Sequence, residues 1–189
     1  MINVHDLGFS YRPKEVLSHI SMHIEPGNIY GLLGENGVGK TTLLTLLCGL
    51  KKPKEGSIEV DGRDPFRREP SLLAEQFYLP DEVEAVNAKA RSFARENGVF
   101  WPKFDLEKFE TILSEFEVDA DQLMDTMSAG QLKKTWIAFA LACGARNYYM
   151  DEPTNGLDIP SKAQFRKAIT RYTAEDDAIV ISTHQVRDL

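Results

Sequence analysis

The spacing of apolar positions changes along the chain, and each change marks a different kind of element. Over 1–10 and 16–24, Val4, Leu7, Phe9, Val16, Ile20, Met22 and Ile24 alternate loosely with polar residues. That period predicts two antiparallel strands, with Pro26-Gly27 as the turn after them. Ile29-Tyr30-Gly31-Leu32-Leu33 is an apolar run of strand length, and Thr42–Leu47 beyond it opens a helix. Gly56–Gly62 reads as a strand bracketed by glycines, and Phe77-Tyr78-Leu79 as a short one closed by Pro80. From Asp81 to about Ala142 β-branched runs are few. There Val83–Glu96 and Glu107–Phe116 carry apolar residues near the 3.6 period, and Leu132–Ala142 is a third helix. Strand character returns at Tyr148-Tyr149-Met150 and at Ala178-Ile179-Val180-Ile181. These elements predict one α/β domain over 1–189, with a mostly parallel core over 1–80 and 143–189. Antiparallel β elements stand at its front, and a helical subdomain is inserted over about 81–142.

Between the apolar run at 29–33 and the helix lies Gly34-Glu35-Asn36-Gly37-Val38-Gly39-Lys40-Thr41, followed by Thr42. Gly, four residues, Gly, Lys, Thr is the phosphate-cradling P-loop, or Walker A pattern. Glycines reach positive φ and carry no Cβ to keep backbone N–H groups from converging on phosphate oxygens. Lys40 adds a cation for the β- and γ-phosphates, and the Thr41 hydroxyl offers Mg²⁺ an oxygen ligand. The helix N-terminus favours the same anion. The core is therefore that of a P-loop NTPase. In open α/β sheets chemistry gathers beyond the carboxyl ends of the strands, where Gly34 onward, Asp151-Glu152 and Thr183-His184 all fall. A strand delivering two adjacent carboxylates to a phosphate site can divide labour, one holding Mg²⁺ and the next orienting the attacking water. Ser128 reads as the N-cap of the helix that follows Met127-Ser128-Ala129-Gly130-Gln131, an end where an anion could dock.

Charge and composition narrow the function classes. Lys and Arg number 22 against 29 Asp and Glu, a net charge of −7. No basic stripe supports direct nucleic-acid binding, and the short basic clusters Lys51-Lys52-Pro53-Lys54, Arg67-Arg68 and Lys133-Lys134 read as solvated. Cys48 and Cys143 lack metal spacing and read as buried, reduced thiols of a cytosolic chain. His5, His19 and His23 lack ligand spacing and read as surface or strand histidines. No apolar run approaches a membrane span, and the N-terminus lacks the regions of a signal peptide.

Taken together these motifs resemble the ATP-binding cassette (ABC) family along essentially the whole chain. Gly34–Thr41 is similar to its Walker A, Tyr148–Glu152 to its Walker B with catalytic glutamate, and Met127–Gln131 to its Leu-Ser-Gly-Gly-Gln signature. Gly156-Leu157-Asp158 resembles the D-loop, His184 the switch histidine, and Tyr11 the adenine-stacking aromatic. The resemblance implies ATP and Mg²⁺ as cofactors. It implies a head-to-tail dimer or pseudo-dimer of cassettes in which Ser128 and Gly130 of one subunit close the other's nucleotide site. It gives Thr41 and Asp151 to the metal, Glu152 to the attacking water and His184 to the γ-phosphate. It also implies a separate transmembrane permease, holding the chain at the cytoplasmic face of the membrane.

The chain departs from the family pattern in its signature, with Met127 and Ala129, and after Pro80, where Asp81-Glu82 stands in place of a glutamine. Asp81 remains a metal-proximal residue on this reading. A third departure is length, since the chain ends five residues past His184 and Gln185–Leu189 reads as the start of a further helix. That pattern is expected of a truncated chain. The Phe100-Trp101-Pro102-Lys103-Phe104-Asp105 segment is expected either to pack inside the helical subdomain or to line a groove for the permease. The alternative function is a soluble ABC ATPase of a cytosolic or ribosomal assembly, and a regulator that does not hydrolyse is weakened by Glu152.

Overall fold

The computed structural model describes residues 1–184; the helix start expected at Gln185–Leu189 lies outside them. The loosely alternating N-terminal segments form β1 (Ile2–Tyr11) and β2 (Lys14–Ile24), which pair antiparallel, and β4 (Glu55–Val60) adds to the other side of β1. A second, parallel sheet runs in the order β3 (Asn28–Leu33), β7 (Ala178–Thr183), β6 (Asn147–Asp151), β5 (Gln76–Leu79). Its two central strands, β6 and β7, are buried along their whole length, as expected of strands covered on both faces.

The period of a strand sorts those central residues into two cores. Tyr149, Ala178 and Val180 face one side, packing with Leu44, Leu46 and Leu47 of α1 (Lys40–Leu47) and with the antiparallel sheet. Tyr148, Met150, Ile179 and Ile181 face the other. That side is covered by α3 (Ala90–Asn97), α4 (Leu106–Glu115), α5 (Ala129–Ala142) and α6 (Ile159–Tyr172), while the short α2 (Pro70–Leu73) precedes β5. Phe139 of α5 is the hub of the second core, its ring within 6.4 Å of those of Phe77, Phe93, Trp101, Phe104, Phe109 and Trp136. Cys48 and Cys143 are buried free thiols, and burial pushes Cys48 up to about 11. His5, His19 and His23 are exposed on β1 and β2.

Two segments differ from the sequence-based expectation. Helix does not begin at Val83 but at Ala90. Residues 84–89 instead run along α5 and pair with 120–124: Trp136 Nε1 donates to Glu84 O, Met124 N to Ala88 O, and Ala90 N to Gln122 O. These tertiary partners satisfy the backbone without a helix. The 14-residue α6 has no counterpart in that expectation. Its signal is Asp158, whose carboxylate caps the helix by accepting from Ser161 N, ahead of buried Phe165, Ala168 and Ile169. Trp101 does pack within the helical side, its Nε1 donating to Gln76 O, whereas Phe100 stays exposed. Among the described residues no helix is long and apolar enough to cross a membrane.

Candidate nucleotide site

The parallel register of β3, β7 and β6 ends three strands side by side, so the Gly34–Thr41 loop, Asp151-Glu152 and Thr183-His184 meet at one edge. They form a cleft of about 560 Å³. Lining it are the sequence-predicted Tyr11, Asn36, Gly37, Gly39, Lys40, Thr41 and Thr42, together with Asp81, Asp151, Glu152 and His184. The loop needs its glycines: Gly37 has φ +83 and Gly39 has φ +108, both in the left-handed region. A Cβ on Gly39 would also come within 2.9 Å of Val16 Cγ1.

Lys40 Nζ sits inside the loop and donates to Gly34 O at 2.7 Å and Glu35 O at 3.2 Å. It also lies 3.3 Å from Glu152 Oε1, both side chains being 9% exposed. Thr41 Oγ1 donates to Asp151 Oδ2 at 2.6 Å, and the other carboxylate oxygen accepts from Ser182 Oγ at 2.5 Å. Glu152 is a non-glycine residue at φ +43, a strained backbone of the kind that gathers at functional sites. Its N–H donates to Ser182 Oγ at 2.9 Å and faces Ser182 O at 3.2 Å. Glu152 Oε2 is 2.9 Å from His184 Nδ1. Thus one carboxylate joins the loop lysine to the histidine, while its neighbour joins the loop threonine to β7.

Tyr11 ends β1 at the mouth of the cleft, its ring edge-on to Phe9 at 5.0 Å and with Lys51 Nζ 5.3 Å from its centroid. A hydrogen bond with Thr42 lowers its phenol pKa, with Lys51 acting in the same direction. Gly34 and Glu35 meet Lys40 through their carbonyls, and Val38 is exposed at the tip of the loop.

Ser128, Gly130 and Asp158 do not line this cleft. Ser128 is exposed and caps α5 in a reciprocal box, accepting from Gln131 N at 3.2 Å while Gln131 Oε1 accepts from Ser128 N at 3.0 Å. Asp158 is exposed as well. Three residues of the site escaped sequence reasoning: Ser182, Asn155 and Lys133. Ser182 carried no signal beyond its place at the end of β7. Lys133 corrects an expectation, since the Lys133-Lys134 pair is not a solvated cluster. Lys133 is 4% exposed, and Lys134 Nζ donates to Phe116 O at 3.1 Å.

The donor set of Thr41 and Asp151 is hard oxygen, which suits Mg²⁺, an ion that keeps waters and takes phosphate oxygens. Among the described residues no three His, Cys, Asp or Glu side chains cluster to hold a metal alone.

A glycine loop on a helix start, an inward lysine and paired carboxylates at the carboxyl edge of a parallel sheet define a P-loop nucleotide-binding protein. Comparison with known proteins narrows the class. The family profile described as ABC transporter matches residues 17–155, and the chain belongs to that family as an ATP-binding, ATP-hydrolysing cassette. It is 34% identical to the SkfA peptide export ATP-binding protein SkfE of Bacillus subtilis, over 98% of this chain and 80% of that one. Identity to the lipopolysaccharide export system ATP-binding protein LptB of Haemophilus influenzae is 29%, over 100% of this chain and 82% of that one. Among solved structures, an ABC transporter ATP-binding protein of Pyrococcus furiosus superposes with a TM-score of 0.85 at 27% identity, over 97% of this chain and 91% of that one.

Proposed function

We propose that the cleft takes the triphosphate of ATP with Mg²⁺, and that two cassettes close on two nucleotides to drive a separate membrane permease at the cytoplasmic face. The observation that carries this reading is the meeting of Lys40, the Thr41–Asp151 pair and the Glu152–His184 pair in one cleft. Lys40 and the loop amides would grip the β- and γ-phosphates. Thr41 and Asp151 would hold Mg²⁺, with Asp81 nearby; the ion supplies charge neutralisation on the phosphate oxygens. Glu152 would orient and polarise the attacking water, steadied by His184, which also reaches the γ-phosphate. Tyr11 would stack on adenine.

A second cassette would cover the cleft of the first. Ser128 and Gly130, at the exposed start of α5, would present a hydroxyl and free amides to the other subunit's γ-phosphate, with Asp158 alongside. A groove of about 400 Å³ between Cys48, Arg68, Gln76, Tyr78, Phe100 and Trp101 would receive a segment of the permease. The relatives named as export proteins favour a transporter of exporter type over a soluble assembly factor.

Calorimetry with ATP and size-exclusion chromatography with ATP and Mg²⁺ test the reading. Native protein should bind ATP, Lys40→Ala should lose most of that binding, and Glu152→Gln should accumulate an ATP-dependent dimer. Retained affinity in Lys40→Ala would overturn the site, and a Glu152→Gln chain that binds ATP but stays monomeric would overturn the sandwich.

A further inference from the structure

The cleft holds a third carboxylate, whose charge opposes a polyphosphate unless a cation balances it. Asp81 faces the same space as Asp151 and Glu152, and a triphosphate brings several more negative charges. Behind Asp81 stands Lys133 of α5. Its Nζ donates to Asp81 O and, at 3.3 Å, to Pro80 O, and lies 3.7 Å from Asp81 Oδ1. The Asp81 carboxylate also accepts from Asn155 Nδ2 at 3.1 Å. Two separate pieces of chain, the start of α5 and the segment after Glu152, therefore converge on the carboxylate that follows β5. A buried lysine is held there at the expense of its hydration; burial lowers its pKa, and Asp81, Asp151 and Glu152 push it back up.

We propose that Lys133 is a positioning residue for the ATP site: its buried ammonium neutralises Asp81 and turns it to Asn155, so that the cleft admits a polyphosphate. This rests on the reading of the cleft as the ATP site. Lys133 touches no nucleotide; it acts through Asp81 and ties the helix that begins at Ser128 to the cleft wall.

The test compares native protein, Lys133→Met, Asp81→Asn and the double variant, measuring ATP and ADP dissociation constants by calorimetry with Mg²⁺ and with EDTA. Lys133→Met should weaken ATP at least tenfold, and ADP less, because the freed carboxylate repels in proportion to phosphate charge. A merely structural loss would weaken both nucleotides alike. In the double variant, which carries neither charge, ATP affinity measured in EDTA, where no contact of Asp81 with Mg²⁺ enters, should return to within threefold of native. Should Lys133→Met fail to fold, the comparison of Asp81→Asn with the double variant decides, since once Asp81 is neutral the removal of Lys133 should change ATP affinity less than threefold. A tenfold further loss there overturns the inference, as does native affinity in a folded Lys133→Met. Native protein that does not bind ATP at all would instead overturn the reading of the cleft.

Discussion

Glu152→Gln should tighten nucleotide binding even where no dimer forms. Lys40 is already engaged: two carbonyls accept from it and Glu152 pairs with it at 3.3 Å. Phosphate must draw Lys40 away, leaving Glu152 with His184. At that separation an effective dielectric of about 20 gives an attraction of about 5 kcal/mol, most of it offset by lost hydration. Breaking a fully buried pair leaves a penalty of about 3–5 kcal/mol. Both side chains are largely covered but stand on a cleft wall, so water entering the cleft should relieve about half of that penalty. The remaining 1.5–2.5 kcal/mol, roughly, corresponds to about 10- to 60-fold in affinity. Glutamine keeps the shape and removes the charge, so ADP, which has no γ-phosphate to hydrolyse, should bind tighter by that factor in calorimetry. Hydrolysis of ATP should fall by about 10²–10⁴ if Glu152 acts on the attacking water. ADP affinity that is unchanged or weaker would refute the competition between carboxylate and phosphate.

Other substitutions probe the remaining parts. Ser128→Asp keeps a good N-cap, so the melting temperature should stay within about 2 °C, while hydrolysis drops at least tenfold because a carboxylate would meet the partner's γ-phosphate; full activity would remove Ser128 from the site. Tyr11→Ala should weaken ATP by about 1–3 kcal/mol if the ring stacks on adenine, and Tyr11→Trp should restore it; equal affinities in all three proteins would dismiss the stack. Phe139→Ala empties the centre of the aromatic core and should cost about 3–5 kcal/mol, a fall in melting temperature of roughly 6–20 °C. A smaller shift would mean that the core closes over the gap.

What could be read from the sequence follows from how local each determinant is. The glycine loop is legible because φ and Cβ constraints act within eight residues, and the centres of β6 and β7 because strands buried on both faces carry runs of apolar residues. Ser128 is legible as a cap because its partner, Gln131, is three residues away. Residues 84–89 misled the helical period because their hydrogen-bond partners lie at 120–124 and on α5, far along the chain. Lys133 is invisible for the same reason. Nothing beside it announces that Asp81, 52 residues earlier, will stand against it in the fold. Ser182 gains its role only when β7 lies beside β6.

A crystal structure with a non-hydrolysable ATP analogue and Mg²⁺ tests the central claim most directly. The phosphates should lie on the Gly34–Thr41 amides with Lys40 Nζ moved from Glu152 onto them, and Mg²⁺ should sit between Thr41 and Asp151. An empty loop with Lys40 still on Glu152, and the nucleotide bound elsewhere, would contradict the account.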